Sequence, residues 1–201
     1  DIWFGLSKGL RIVWKINFFK IKRKEMANMG IEFQFLDYLQ TFHTPLADAV
    51  MIAASTLGNG GILWILLTII LLCIPKTRTI GIVMAVSLCI DALLCNVILK
   101  PMIARIRPYH VNTAIELLVR PPRDYSFPSG HTAASFAAVA ALFFTGQKKM
   151  GRIFLIAAIL IAFSRMYLYI HYPTDILGGV LVGVLSGYLG YVIMQKIQNR
   201  K

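Results

Sequence analysis

The chain has 201 residues, 57% of them hydrophobic, with a mean hydropathy of +0.67 and a formal net charge of +12. Long apolar runs in this number exclude an ordinary soluble domain and point to membrane embedding. In that setting the excess of Lys and Arg reads as cytoplasmic loops and contact with anionic lipid. No basic stretch has the aromatic spacing of a nucleic-acid module, so nucleic acid is not an expected partner.

Residues 1–28 interleave Trp3, Phe4, Leu10, Trp14 and Phe18 with Lys8, Arg11, Lys15, Lys20 and Lys22 to Lys24. That basic density suits a helix lying in the headgroup region, apolar side down, or an upstream extension, since Met26 or Met29 offers a start. The order of a cleavable signal peptide is missing. The domain expected to carry function therefore covers 29–201. Residues 31–44 form a second amphipathic stretch that Pro45 ends or kinks, and a short apolar helix follows from Leu46 to Leu57. Gly58-Asn59-Gly60-Gly61 breaks the chain. Five apolar runs come next: Ile62–Ile74, Ile80–Leu99, Thr132–Thr145, Ile153–Ile170 and Ile176–Met194. A hydrocarbon core of about 30 Å takes roughly 20 helical residues, which makes these runs spans, some needing flanking residues. Cys73, Cys89 and Cys95 all lie inside apolar runs, without CxxC spacing or a ligand cluster, and read as packing residues.

Loop charge sets the expected topology. Lys76, Arg78, Lys148, Lys149, Arg152, Lys196 and Arg200 share one face, which the positive-inside bias makes cytoplasmic. If the basic N-terminal segment lies there too, 31–57 must cross. The expectation is an all-α, polytopic membrane bundle of about six transmembrane helices, both termini cytoplasmic. The loop of 100–130 and the turn of 171–175 then meet on the extracytoplasmic face. A structureless loop as long as 100–129 is usually functional.

Three polar clusters sit at the ends of the apolar runs. Lys100 closes a span, Arg107-Pro108 follows seven residues later, and Arg165 lies inside a run near its outer end. Interfacial snorkelling accounts for Lys100 alone, but a cation within a span costs about 2.5–3.5 kcal/mol on insertion scales and needs a partner or a role. Three cations on one face imply a multiply charged oxyanion, and phosphate fits, with the planar fork of arginine suited to its oxygens. Pro128-Ser129-Gly130-His131 opens an Ala-rich helix, where free N–H groups favour an anion. Ser129 reads either as a helix cap or as an anion ligand, and Gly130 permits close approach of backbone. His171 and Asp175, four apart at the next helix start, allow a carboxylate to fix the imidazole tautomer. These groups compose a metal-free phosphoryl-transfer site. His171 attacks phosphorus, Lys100, Arg107, Arg165, Ser129 and the Gly130 N–H hold the non-bridging oxygens, and His131 protonates the leaving oxygen, then activates water. With no carboxylate cluster to hold Mg²⁺ or Zn²⁺, cations of the protein take the place of a metal, and no cofactor is expected.

The pattern K-x6-R-P, P-S-G-H and S-R-x5-H-x3-D, here Lys100 to Pro108, Pro128 to His131 and Ser164 to Asp175, resembles the three-part signature of the type 2 phosphatidic acid phosphatase (PAP2) family, without departure at a motif position. The resemblance covers about residues 31–195 and excludes 1–28. It implies a PAP2/haloperoxidase-like helical core and a cell-membrane lipid phosphatase with an outward-facing site. It implies His171 as nucleophile, Asp175 as its partner, His131 as general acid and the other motif residues as phosphate pocket. Asn96 resembles a family position that orients the lysine; Asp91 has no assigned partner.

A small chain with little outside its bundle suits undecaprenyl diphosphate as substrate. Phosphatidic acid and phosphatidylglycerophosphate share the recognised phosphate. Loop 109–127 is the expected place of headgroup choice. Vanadate-dependent haloperoxidation uses a similar pocket in soluble enzymes, which the spans disfavour. An anion or lipid transporter would spread its cations through the bilayer and show a repeat. Oligomeric state is not legible.

Overall fold

The computed structural model describes residues 30–199, and the segment 1–28 read as amphipathic lies outside them. Every regular element described is helical. Helix α1 covers 30–40, α2 Pro45–Leu57 and α3 Ile62–Cys73. Helix α4 (Arg78–Asp91) continues through a π-helical stretch, Ala92–Leu99, into the short α5 (Lys100–Ile103). Helix α6 (Pro108–Val111) interrupts the long loop, and α7 (Gly130–Phe144), α8 (Lys148–Tyr167) and α9 (Pro173–Gln198) complete the bundle.

The bundle turns its apolar surface outward. Ile65, Ile69, Ile156 and Leu181 are exposed, while the centre holds Trp64, Met84, Leu142 and Ile161. A side chain facing hydrocarbon needs no protein cover, so an exposed apolar rim is what a lipid-embedded bundle presents. Trp64 satisfies its buried indole N–H on Ser135 Oγ at 2.9 Å. Helices α7 and α9 run parallel, and their seam is made of glycine. A Cβ at Gly183 would lie 2.4 Å from the Ala133 carbonyl oxygen, and one at Gly187 would lie 2.5 Å from Ala140 Cβ. Small residues four apart let two backbones approach where lipid offers no hydrophobic drive to pair them.

Length and apolarity identify Pro75–Val111, α8 and α9 as able to cross a membrane, while α2 and Asn59–Cys73 pass that test only as a pair, with a bend of 49° between them. Helix α7, a shorter apolar helix of fifteen residues, lies at the centre with nine residues buried. The crossing expected of 31–57 takes another form. Thr44 accepts from the Ala47 N–H at 3.2 Å and Pro45 occupies the first turn, so α2 starts afresh instead of extending α1. Helix α1 lies at the end of the bundle where Phe33 packs on Tyr169 and Tyr172. Gly60 and Gly61, with φ of 59° and 71°, bend the chain without reversing it. Among the described residues three helices are thus long and apolar enough to cross, four if the bent pair counts as one span, and α7 adds a shorter apolar helix between them.

Candidate active site

Loop 104–129 and the α8–α9 turn meet at one end of the bundle, as the sequence predicts. The Ser129 N–H donates to the Asp175 carbonyl at 3.0 Å, and the Ser126 N–H to the Arg105 carbonyl at 2.8 Å. Between them lies a cavity of about 330 Å³ whose lining includes Lys100, Arg107, Arg165, Gly130, His131 and His171. Val119, Arg120, Pro121 and Pro122 wall it, so the loop expected to choose a headgroup borders the cavity directly.

His171 sits in the turn between α8 and α9, fully buried. Its Nδ1 lies 3.3 Å from Asp175 Oδ2, and its Nε2 lies 3.2 Å from Arg107 Nη1. A guanidinium can only donate, so Nε2 accepts and Nδ1 carries the proton that Asp175 receives. Burial pushes the imidazole pKa down, and despite the opposing bond to Asp175 it falls to about 3. The ring is neutral at physiological pH, with its lone pair on the nitrogen that faces the cavity.

Asp175 is occupied on every side. Besides His171, Oδ2 accepts from the Tyr172 N–H at 2.9 Å and from the Ser126 hydroxyl. Oδ1 accepts from Arg105 Nη1 at 2.7 Å. Asp175 stands in the first turn of α9, where a carboxylate also meets the positive end of the helix dipole. Arg105 is held in turn by Glu32 at 2.5 Å, and Glu32 Oε1 accepts from the Thr174 N–H at 3.1 Å. Helix α1 therefore reaches the histidine through two intermediaries.

The three cations of the sequence reading are all buried. Arg107 donates from Nη1 to the Ile170 carbonyl at 2.8 Å and from Nε to the Asp124 carbonyl at 2.8 Å. Its Nη2 meets Asp124 Oδ1 at 2.6 Å, and Lys100 meets Asp124 Oδ2. Arg165 donates to the Ser55 hydroxyl, and its Nε has no partner among the described residues. Arg165 also lines the cavity, so its guanidinium stands among the groups that an anion there would meet. His131 Nε2 lies 2.9 Å from Asn59 Oδ1, and both residues line the cavity.

Two expectations need amending. The hydroxyl of Ser129 neither caps α7 nor lines the cavity; it accepts from Thr132 Oγ1 at 3.0 Å, because the helix start turns it into the α7–α9 seam. Lys100 bonds Asp124 and not Asn96, whose Oδ1 instead faces Gly130. Asp91 is buried, with Oδ1 unpartnered among the described residues, and lines a second cavity of about 350 Å³ with Asn96 and Lys100. The sequence reading missed Asp124, Arg105, Glu32, Ser126, Asn59 and Ser55. Only Arg105 carried a signal, as a second arginine two positions before Arg107.

Residues 79–199 match the model of the PAP2 superfamily. The chain belongs to that family. It is 30% identical to an undecaprenyl-diphosphatase of Sulfolobus acidocaldarius over 83% of this chain and 80% of that one. It is also 30% identical to a lipid A 4'-phosphatase of Bacteroides thetaiotaomicron, over 85% of this chain and 80% of that one. Among solved structures it resembles a transmembrane PAP2 type phosphatidylglycerolphosphate phosphatase from Bacillus subtilis. That match has a TM-score of 0.69 and 28% identity, covering 85% of this chain and 88% of that one. The all-helical bundle is thus the fold of PAP2 membrane phosphatases.

Proposed function

We propose that this PAP2-type phosphatase removes the terminal phosphate of a membrane lipid phosphate or diphosphate, with undecaprenyl diphosphate as the leading substrate. The observation that carries the reading is the cavity itself: three buried cations and one carboxylate surround a neutral imidazole whose Nε2 lone pair is turned to Arg107 on the cavity side. Such a surplus of buried positive charge is stable only if an anion completes it.

In the proposed reaction His171 Nε2 forms a bond to phosphorus as the bond to the lipid oxygen breaks. Asp175 stabilises the imidazolium that develops, and His131 gives its proton to the departing oxygen. Water, deprotonated by His131, then cleaves the phosphohistidine to release phosphate and restore both histidines. Lys100, Arg107, Arg165 and the Gly130 N–H hold the non-bridging oxygens throughout, with Ser129 fixing the helix start behind them. No metal or cofactor takes part. The basic ends Lys76, Lys148, Lys149 and Lys196 lie at the opposite end of the bundle, which supports a site on the extracytoplasmic face.

The relative of known structure named for phosphatidylglycerolphosphate favours a second reading, a glycerolipid phosphate as substrate. Phosphate release by detergent-purified protein in EDTA, from undecaprenyl diphosphate, phosphatidic acid, phosphatidylglycerophosphate and lipid A, ranks the substrates by kcat/KM. A higher value for either glycerolipid phosphate selects the second reading.

A further inference from the structure

The most unusual group in the cavity is one that the proposed chemistry does not use. Asp124 places one carboxylate oxygen on Arg107 and the other on Lys100, bridging two of the three cations. Its own side chain is 50% exposed, whereas those of Arg107 and Lys100 are 3% and 9% exposed. The carboxylate therefore reaches from the loop into the anion site, and it is not part of the buried frame. Burial pushes its pKa up, but the bonds and charges of Lys100 and Arg107 win and hold it at about 2, so it is ionised at any physiological pH.

A carboxylate spanning two cations occupies the place of two phosphate oxygens. An incoming ligand has to take Lys100 and Arg107 away from it. A phosphate monoester or diphosphate terminus brings a second charge and a third oxygen, for which Arg165, also lining the cavity, supplies a third cation. A phosphodiester brings two non-bridging oxygens and one charge, the same as the carboxylate it must displace. A membrane enzyme faces phosphodiester headgroups in great excess, and a cation cradle without a competitor would fill with them.

We propose that Asp124 is a specificity-determining residue: a resident carboxylate that holds the phosphate subsite against singly charged phosphodiesters and yields it to doubly charged terminal phosphates. The inference rests on the anion-cradle reading above. It concerns only which anions enter, not the reaction that follows.

The test is binding without turnover. Inorganic phosphate and dimethyl phosphate are titrated calorimetrically, at mildly alkaline pH, into the detergent-solubilised full chain and into Asp124→Asn. Asp124→Ser is a second variant, and thermal unfolding confirms that each is folded. The parent protein is expected to prefer phosphate strongly. Each variant is expected to bind phosphate about tenfold more tightly and dimethyl phosphate by a larger factor, so that discrimination narrows. Weaker phosphate binding by the folded variants would show that Asp124 merely positions Lys100 and Arg107, and unchanged discrimination would equally overturn the proposal. Absence of phosphate binding by parent and variants alike would overturn the cradle itself, and this inference with it.

Discussion

Arg107 Nη1 stands 3.2 Å from Nε2 of His171, so an arginine N–H covers the lone pair of the proposed nucleophile. A phosphoryl oxygen that takes this N–H also brings phosphorus up to the nitrogen. In the proposed reaction one arginine would thus both contact the imidazole and guide the phosphoryl group onto it. The planar fork is essential, because the same guanidinium also holds the Ile170 and Asp124 carbonyls. Arg107→Lys keeps the charge and loses the fork. Its kcat/KM is expected to fall by about 10²-fold or more. Steady-state kinetics with a soluble short-chain lipid phosphate measures this, and activity within a few-fold of the parent would contradict it.

Arg105 acts one step further out. It does not line the cavity but fixes Asp175 Oδ1 and is itself held by Glu32. As a positioning residue it should affect the rate more than substrate binding. Arg105→Gln is expected to lower kcat by about 10- to 100-fold with KM nearly unchanged, Glu32→Gln less so. A rise in KM at constant kcat would instead place Arg105 on the substrate.

The glycine seam makes a prediction about stability alone. Gly183→Ala puts a methyl group 2.4 Å from a backbone carbonyl, so α7 and α9 must separate. A loss of about 1–3 kcal/mol is expected, read as a lower thermal midpoint in detergent. Gly30→Ala, where a Cβ meets nothing within 4 Å, is the neutral control.

His171 also links stability to pH. Its pKa falls from the ordinary value near about 6.5 in the unfolded chain to about 3 in the fold. Between these values the unfolded chain binds the extra proton, so this residue's contribution to stability falls as pH drops from 6.5 towards 3 and is flat above 6.5. The thermal midpoint of the parent relative to that of His171→Gln should decline over that window. A difference that grows on acidification would mean that the imidazole is charged in the fold.

How much of this was legible in the chain follows from where each signal sits. The three clusters could be read because each lies next to a helix end. Helix polarity and loop charge then suffice to bring Lys100, His131 and His171 to one end of the bundle. Asp124 could not be read, since its partners are 17 and 24 residues away across an irregular loop whose closure no local pattern encodes. Glu32 was hidden for a related reason: apolar length and loop charge counted 31–57 as a span, whereas Thr44 and Pro45 divide it and leave α1 over the site. Ser129 shows the limit of reading a motif by residue type. Its hydroxyl suits an anion, but its place at the first turn of α7 turns it towards Thr132.

The central claim is that His171 carries the phosphoryl group. Rapid quenching during turnover of a radiolabelled lipid phosphate, followed by peptide mapping under alkaline conditions that spare phosphohistidine, tests it most directly. The account predicts label on the peptide containing His171, lost in His171→Ala together with phosphate release. Full turnover by His171→Ala, or label trapped on another residue, would contradict it.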